Sequence, residues 1–369
     1  MRIRFTGTAG AAGWPAAGCR CASCNRAAEA PRRPLEALVD GTVPIGPDGP
    51  AGAPPAGYRA APLPCGTLLE GPDGARLLCA LPAGPPAAGR PDPAGGRVDL
   101  ALVDAAHPEL LGALRRSGVL DARSRAVVVG GGHRVHSPAE FARRAALWGA
   151  EAVADGDTLD IVPGASRQDS PGASAADAPA AFRERAARRP HRVLVTGGAR
   201  SGKSAEAERR LLAEPEVVYV ATGPGPEGDA DWAARVAAHR ARRPCWWATE
   251  ETLDAAGALD RAAAAGSAVL LDCAGTWLAG VMGECGMWDE APPADAGQAA
   301  EARIAALLSA WERFPGLLVA VTNEVGSGVV PATRSGGLFR DLLGRLNQRL
   351  AAASEEVLLA AAGRIVELP

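Results

Sequence analysis

Gly197-Gly198-Ala199-Arg200-Ser201-Gly202-Lys203-Ser204 follows the apolar run Val193-Leu194-Val195 and opens a helical pattern from about Ser204 to Leu212. The octapeptide is G-x-x-x-x-G-K-S, set between a strand and a helix as a phosphate-cradling loop must be. Its glycines let backbone N–H groups turn inward on phosphate oxygens, and the helix N-terminus adds partial positive charge. Lys203 would put a compact charge on the β- and γ-phosphates, where the planar fork of arginine fits poorly. Ser204 would offer its hydroxyl to Mg²⁺. Of the 39 basic residues in the chain, Lys203 is the single lysine. Arginine has replaced every other one, so retention here asks for a chemical reason, and a nucleotide site is expected.

Outward from this loop, Val217-Val218-Tyr219-Val220, Ala268-Val269-Leu270-Leu271 and Leu317-Leu318-Val319-Ala320-Val321 are short apolar runs separated by helical patterning. They read as buried parallel strands. A last helix over Phe339 to Ala353 and a strand near Val357-Leu358-Leu359 complete an open, doubly wound, mostly parallel P-loop NTPase-like α/β sheet. Asp272 closes its run at the carboxyl edge of such a sheet, as a Mg²⁺-organising or substrate-orienting carboxylate would; a helix-capping aspartate fits the same position. Arg235, His239 and Arg243 recur at i, i+4 and i+8. On one helical face, flanking guanidiniums would keep His239 neutral as a nucleophile or base, or His239 is a surface or packing residue.

The chain has 369 residues, 47% hydrophobic and 22% charged, with a formal net charge of −3. That length suits two domains, and the charge argues against a nucleic-acid binder held by bulk basic charge. No uncharged apolar stretch reaches the length of a transmembrane helix, and Met1-Arg2-Ile3-Arg4-Phe5 has no apolar signal region, so the cytoplasm is the expected compartment. Eight cysteines in such a chain do not suggest a disulfide framework. Cys19, Cys21 and Cys24 stand apart by clustering as C-x-C-x-x-C.

Residues 1–163 are expected to form an α/β domain, with a strand at Val98–Val103, a helix over Pro108–Ser117, a strand at Ala126–Val129 and a helix over Pro138–Gly149. The Pro/Gly-rich stretch from about 44 to 96 is expected to be loops with one strand near Leu77–Leu81. Residues 164–190 read as a linker, and 191–369 as the P-loop domain.

The second half resembles the bifunctional adenosylcobinamide kinase/adenosylcobinamide-phosphate guanylyltransferase family. The resemblance rests on ordered blocks: Val195–Ser204, Tyr219-Val220-Ala221-Thr222, Arg235…His239…Arg243-Pro244, Trp247 with Glu251, and Leu271-Asp272-Cys273. Val321-Thr322-Asn323-Glu324-Val325-Gly326-Ser327-Gly328-Val329-Val330-Pro331 follows, then Phe339-Arg340-Asp341 and Gly344-Arg345-Leu346-Asn347-Gln348. The family implies phosphorylation of adenosylcobinamide by ATP or GTP, then GMP transfer from GTP with loss of pyrophosphate through a guanylyl-histidine. It implies that His239 is that histidine, with Lys203 and Asp272 catalytic. Nucleotide contacts would come from Gly197, Gly198, Ala199, Arg200, Ser201, Gly202, Lys203, Ser204, Thr222, Gly223, Pro224, Arg240, Ala241, Arg242, Arg243, Glu251 and Asp272. It also implies a homo-oligomer, a trimer among the options. The chain departs from the family at Ala274-Gly275, where Leu-Thr is usual, and at Gly280, where Asn is usual; Thr276 lies one position late. Between Thr222 and Arg235 it is about two residues longer, an insertion that a loop absorbs.

The first half looks like a degenerate metallo-β-lactamase-like domain, from Arg2–Thr8, Gly13-Trp14-Pro15, the cysteine trio, Leu38-Val39-Asp40-Gly41 and Asp99–Asp104. The H-x-H-x-D-H run that would bind two metals is absent after Leu38–Gly41, so a hydrolase relic is expected. The cysteine trio offers three thiolates for structural Zn²⁺, with His133 or His136 as a fourth ligand; three metal-free loop thiols fit the sequence equally well. Two further readings of the whole chain stay open: a P-loop kinase of another small alcohol, and a nucleotide-gated regulatory protein without turnover.

Overall fold

The computed structural model describes residues 1–81, 96–164, 190–223 and 230–369. Two compact units emerge, Met1–Ala187 with Leu212–Pro215, and Arg188–Leu211 with Glu216–Pro369. The stretch expected as a linker, 164–190, lies almost wholly outside the described residues. No helix among the described residues is long and apolar enough to cross a membrane.

The first unit runs β1 (Arg2–Gly7), α1 (Ala22–Ala27), β2 (Glu36–Val39), β3 (Val43–Gly46), β4 (Gly49–Pro50), β5 (Arg59–Leu63), β6 (Gly66–Glu70) and β7 (Arg76–Ala80). It continues with β8 (Leu100–Asp104), α2 (Glu109–Arg116), β9 (Arg125–Val129), α3 (Pro138–Leu147), β10 (Glu151–Ala152) and β11 (Thr158–Asp160). One sheet has the order β11-β1-β2-β3-β4 and the other β10-β9-β8-β7-β6-β5. The period of two along β8 assigns its faces: Leu100 and Leu102 join the cluster with Ile3, Phe5, Val39 and Ile45, so the sheets pack face to face there. Ala101 and Val103 point the other way, into the cluster with Leu110 and Leu114 of α2 and Phe141 of α3.

The stretch expected to be mostly loop has its expected strand near Leu77–Leu81 as β7 but departs otherwise, since β3 to β6 also lie within or beside it. Its prolines and glycines fall where strands tolerate them. Pro62 sits on edge strand β5, where a missing N–H costs no interior ladder bond. Gly66 starts β6 with φ near 145°, where an added Cβ would lie 2.0 Å from the Cys79 carbonyl oxygen. The four helices and strands expected between Val98 and Gly149 form within two or three residues of their expected bounds.

The second unit runs β12 (His191–Gly197), α4 (Lys203–Leu211), β13 (Val217–Ala221), α5 (Ala230–Arg242), β14 (Ala248–Glu251), α6 (Ala255–Ala265) and β15 (Ala268–Asp272). Then come α7 (Ala274–Glu284), α8 (Ala296–Arg313), β16 (Leu317–Val321), α9 (Arg334–Ala352), β17 (Glu356–Ala361) and β18 (Arg364–Leu368). The sheet order is β14-β13-β15-β16-β12-β17-β18, parallel throughout except for the closing β17–β18 hairpin. This is the mostly parallel α/β sheet expected. The edge strands β14 and β18 add to the expected set; both are largely exposed and lack the apolar runs of buried strands. Register levels the carboxyl ends: Ala221 pairs with Asp272, Asp272 with Val321, and Val321 with Val195. The residues after these strands therefore share one edge of the sheet.

Candidate active site

The loop from Gly197 to Gly202 leaves β12 and turns into α4. A Cβ on Gly197 would lie 2.4 Å from the Ala360 carbonyl oxygen, so only glycine lets this strand end pack against β17. Within the loop the Ser201 N–H donates to the Gly198 carbonyl (3.3 Å), and Arg200 takes a positive φ of 55°. Lys203 is 6% exposed, and its Nζ donates to the Gly198 carbonyl oxygen at 3.0 Å, which draws the ammonium back over the loop. The Gly363 N–H donates to the Ser201 carbonyl at 2.9 Å, so the β17–β18 turn braces the loop. Ser201 Oγ and Thr196 Oγ1 are buried and meet no hydrogen-bond partner among the described residues. An orphaned Ser201 hydroxyl in the loop that leads to Lys203 and the helix start fits a phosphate ligand. Ser204 stands in the first turn of α4 and Asp272 closes β15, and both carry the oxygen ligands that Mg²⁺ prefers.

On the neighbouring strands, the Thr222 hydroxyl donates to the Cys273 carbonyl and lies 2.8 Å from Thr276 Oγ1. Thr276 completes a capping box with Cys273 at the start of α7. The threonine one position late is thus tied to Thr222 at the sheet edge. A Cβ at Gly275 would face Asn323 Nδ2 at 3.4 Å, and one at Gly280 would meet the Leu253 side chain at 2.7 Å. In the block after β16, Thr322 is fully buried; it donates to Asn347 Oδ1 (2.7 Å), whose amide nitrogen donates to the Asn323 carbonyl (3.1 Å). That chain of bonds anchors Val321–Glu324 to α9.

His239 lies in the last turn of α5, with Nδ1 3.5 Å from Glu208 Oε1 and 3.7 Å from Asp272 Oδ2. Of the guanidinium flanks expected from spacing, Arg243 is arranged otherwise. Arg243 falls one residue past α5; its guanidinium stacks 3.7 Å over the Tyr219 ring while Nε donates to the His239 carbonyl. Arg242 turns to Glu208 in a bidentate pair of 2.8 and 3.0 Å. The description does not extend to the side chain of Arg235. Among the described side chains, the carboxylates of Glu208 and Asp272 face Nδ1 of His239. Arg240 pairs with Glu251 at 2.6 Å, both half exposed, and Ala241 is exposed. Gly223 follows Thr222 at the sheet edge, while Pro224 lies outside the described residues.

Glu208 is the partner that sequence reasoning missed. It is 5% exposed, and burial works to raise its pKa, but bonds from His239 and Arg242 prevail and hold the carboxyl below its usual range. Its signal was present at i+5 from Lys203 on the P-loop helix, yet nothing in the spacing connects it to a residue on another helix. Burial also pushes the Tyr219 hydroxyl well above its usual range, reinforced by the Asp272 charge to which it donates.

In the first unit, the metal-ligating atoms of Cys19, Cys21, Cys24 and His133 all lie within 4.8 Å of one another. Cys21 Sγ caps α1 by accepting the Cys24 N–H, which pulls its thiol pKa down, whereas burial pushes that of Cys24 up. His133 Nδ1 is 3.5 Å from Cys19 Sγ, while His136 instead meets Arg26 at 3.2 Å. A tetrahedral zinc with bonds of about 2.3 Å needs sulfurs about 3.8 Å apart, so a modest contraction of this cluster would suit the ion.

A family model described as cobinamide kinase / cobinamide phosphate guanyltransferase matches residues 193–368. The bifunctional adenosylcobalamin biosynthesis protein CobU of Salmonella typhimurium is 41% identical over 180 residues, which cover 46% of this chain and 96% of that protein. The protein of the same name from Escherichia coli is 42% identical over 178 residues, 46% of this chain and 96% of its own. The bifunctional adenosylcobalamin biosynthesis protein CobP of Pseudomonas aeruginosa is 39% identical over 175 residues, 47% of this chain and 94% of its own. Relatives matched almost from end to end at this identity leave one conclusion: the chain belongs to the cobinamide kinase / cobinamide phosphate guanyltransferase family.

Proposed function

We propose that this enzyme assembles the nucleotide loop of cobalamin in two steps, acting as a kinase on adenosylcobinamide and then as a guanylyltransferase on its phosphate. The observation that supports this reading most directly is one sheet edge carrying both a lysine-bearing phosphate loop and His239, 3.7 Å from Asp272. In the first step the substrate hydroxyl attacks the γ-phosphorus of ATP or GTP, and the nucleoside diphosphate leaves. Lys203 and the loop N–H groups stabilise charge developing on the transferred phosphoryl oxygens. Ser204 and Asp272 would hold Mg²⁺, which would supply charge neutralisation.

In the second step Nε2 of His239 attacks the α-phosphorus of GTP. The N–P bond forms as the bond to the β-phosphate oxygen breaks, and pyrophosphate leaves. A phosphate oxygen of adenosylcobinamide phosphate then attacks the same phosphorus, releasing His239 and giving adenosylcobinamide-GDP. Splitting one nucleotidyl transfer into two displacements lowers each barrier. The alternative of a regulatory protein without turnover predicts GTP binding with no covalent adduct. The test is incubation with Mg²⁺ and GTP radiolabelled at the α-phosphate, comparing the chain with its His239→Ala variant. Acid-labile, base-stable label that vanishes in the variant supports the reading, and a folded, GTP-binding chain that takes up no label sinks it.

A homo-oligomer, a corrinoid acceptor and a cytoplasmic site of action belong to the same reading. For the first unit the proposal is a metallo-β-lactamase-like layer turned to structural use, its two face-to-face sheets and outer helices being compatible with that fold. Zn²⁺ held by Cys19, Cys21, Cys24 and His133 would pin the segment around α1 to the loop after β9.

A further inference from the structure

We propose that Glu208, on the P-loop helix, is the positioning residue for His239: it faces the Nδ1–H as a hydrogen-bond acceptor, leaves the proton on the ring, and so presents Nε2 as the nucleophile. This rests on His239 being the guanylylated residue. Three features of the structure support it. Glu208 Oε1 is nearer to His239 Nδ1 (3.5 Å) than Asp272 Oδ2 is (3.7 Å). Glu208 is nearly excluded from solvent and its charge is balanced by the bidentate Arg242, so it is held in place and water competes weakly for it. Asp272 is already engaged by the Tyr219 hydroxyl at 2.8 Å and stands at the strand end, where the nucleotide and its cation would be met.

The chemistry needs one such group. An imidazole has two nitrogens, and the lone pair is available at Nε2 only in the tautomer that carries its proton on Nδ1. A carboxylate facing Nδ1 selects that tautomer and orients the ring, as second partners of catalytic histidines do. When Nε2 forms its bond to the α-phosphorus and pyrophosphate departs, the ring becomes a cation that still holds the Nδ1 proton. Glu208 stabilises that charge without taking the proton. When the phosphate of the acceptor displaces the histidine, the electron pair returns to Nε2 and the ring is neutral again. No proton is gained or lost at His239 over the cycle. Because α4 begins at Lys203, one helix would carry both the phosphate-binding lysine and the group that aims the nucleophile. The orientation of His239 is in this way tied to the seating of the phosphate loop.

The experiment compares Glu208→Gln with the unmodified chain in two assays on the full-length protein, the rate of labelled adduct formation and the kinase turnover. Glutamine keeps the shape and an acceptor for Arg242 but loses the charge. The ratio of guanylylation to kinase turnover is expected to fall by about 10²-fold, and Glu208→Asp to recover part of it. Equal losses in both assays, or no loss, would overturn the proposal, the first by assigning Glu208 to the stability of the loop helix. If Glu208→Gln does not fold, nitrogen-15 NMR of histidine-labelled, unmodified protein still decides: His239 protonated at Nδ1 is expected, and the Nε2–H tautomer overturns the proposal. The His239→Ala variant separates the two readings. If it still forms the adduct, the assignment of the nucleophile has failed; if it does not while Glu208→Gln does so normally, only the positioning role has failed.

Discussion

The Tyr219 hydroxyl donates to Asp272 Oδ2 at 2.8 Å, joining two adjacent parallel strands at the edge where the phosphate loop opens. The phenol is mostly buried, with the Arg243 guanidinium stacked on its ring. Tyr219→Phe removes one hydrogen bond to a charged acceptor and leaves the packing intact, so a loss of about 1–3 kcal/mol in unfolding free energy is expected from denaturant titration. The carboxylate is then less restrained, and the apparent KM for GTP should rise with little change in kinase kcat. A KM equal to that of the unmodified chain would show that the tyrosine serves stability alone.

Lys203 is expected to resist even conservative replacement. Lys203→Arg keeps the charge but puts a planar fork where the Gly198 carbonyl and the loop leave room for a compact ammonium. Both activities should fall by at least about 10²-fold, because both draw on one nucleotide cradle. Steady-state assays of the two half-reactions check this, and loss of only one activity would mean separate nucleotide sites.

Gly197→Ala tests the close packing of β12 against β17. Its Cβ would meet a backbone carbonyl at 2.4 Å, and no side-chain rotation relieves that contact. A destabilisation of about 1–3 kcal/mol with weakened GTP binding is expected, read by thermal unfolding with and without nucleotide.

Glu140 gives the first unit a definite pH response. Burial works to raise its pKa, but ion pairs with Arg143 and Arg144 prevail and bring it from the ordinary 4.5 down to about 2. A carboxylate held more acidic in the folded state stabilises fully above about pH 4.5, and the contribution drains away as pH falls through about 2. Glu140→Gln should therefore cost about 1–2 kcal/mol at pH 7, allowing for the partial exposure of the arginines. The difference from the unmodified chain should shrink steadily below pH 5, as urea titrations at several pH values would reveal; a constant gap would refute the ion-pair account.

Metal analysis probes the cysteine cluster. One Zn²⁺ per chain is expected after dialysis, released by denaturation into a chromogenic chelator, with the content near zero in Cys21→Ser and reduced in His133→Ala. His136→Ala should keep its zinc, since that ring meets Arg26 and not the thiols.

The sequence by itself determined the P-loop, its strand and helix, the central parallel strands and the order of the site blocks. Those features are local: an apolar run of five residues, a glycine pattern and a helix start each need only near neighbours to be specified. The strands between Val43 and Glu70 were not legible in this way, unlike the one near Leu77–Leu81. Glycine and proline mark turns but do not say whether the chain between them pairs, and pairing was decided by partners such as Leu69 against Leu77. The same holds for the surroundings of His239. Helical spacing pointed to arginines, whereas packing α5 against α4 and β15 brought Glu208 and Asp272 to the ring and turned Arg242 and Arg243 onto other groups. The choice of His133 over His136 also waited on tertiary structure, since more than a hundred residues separate either from the thiols. Periodicity records which residues one element presents; which group on another element meets them is decided only when the chain is packed.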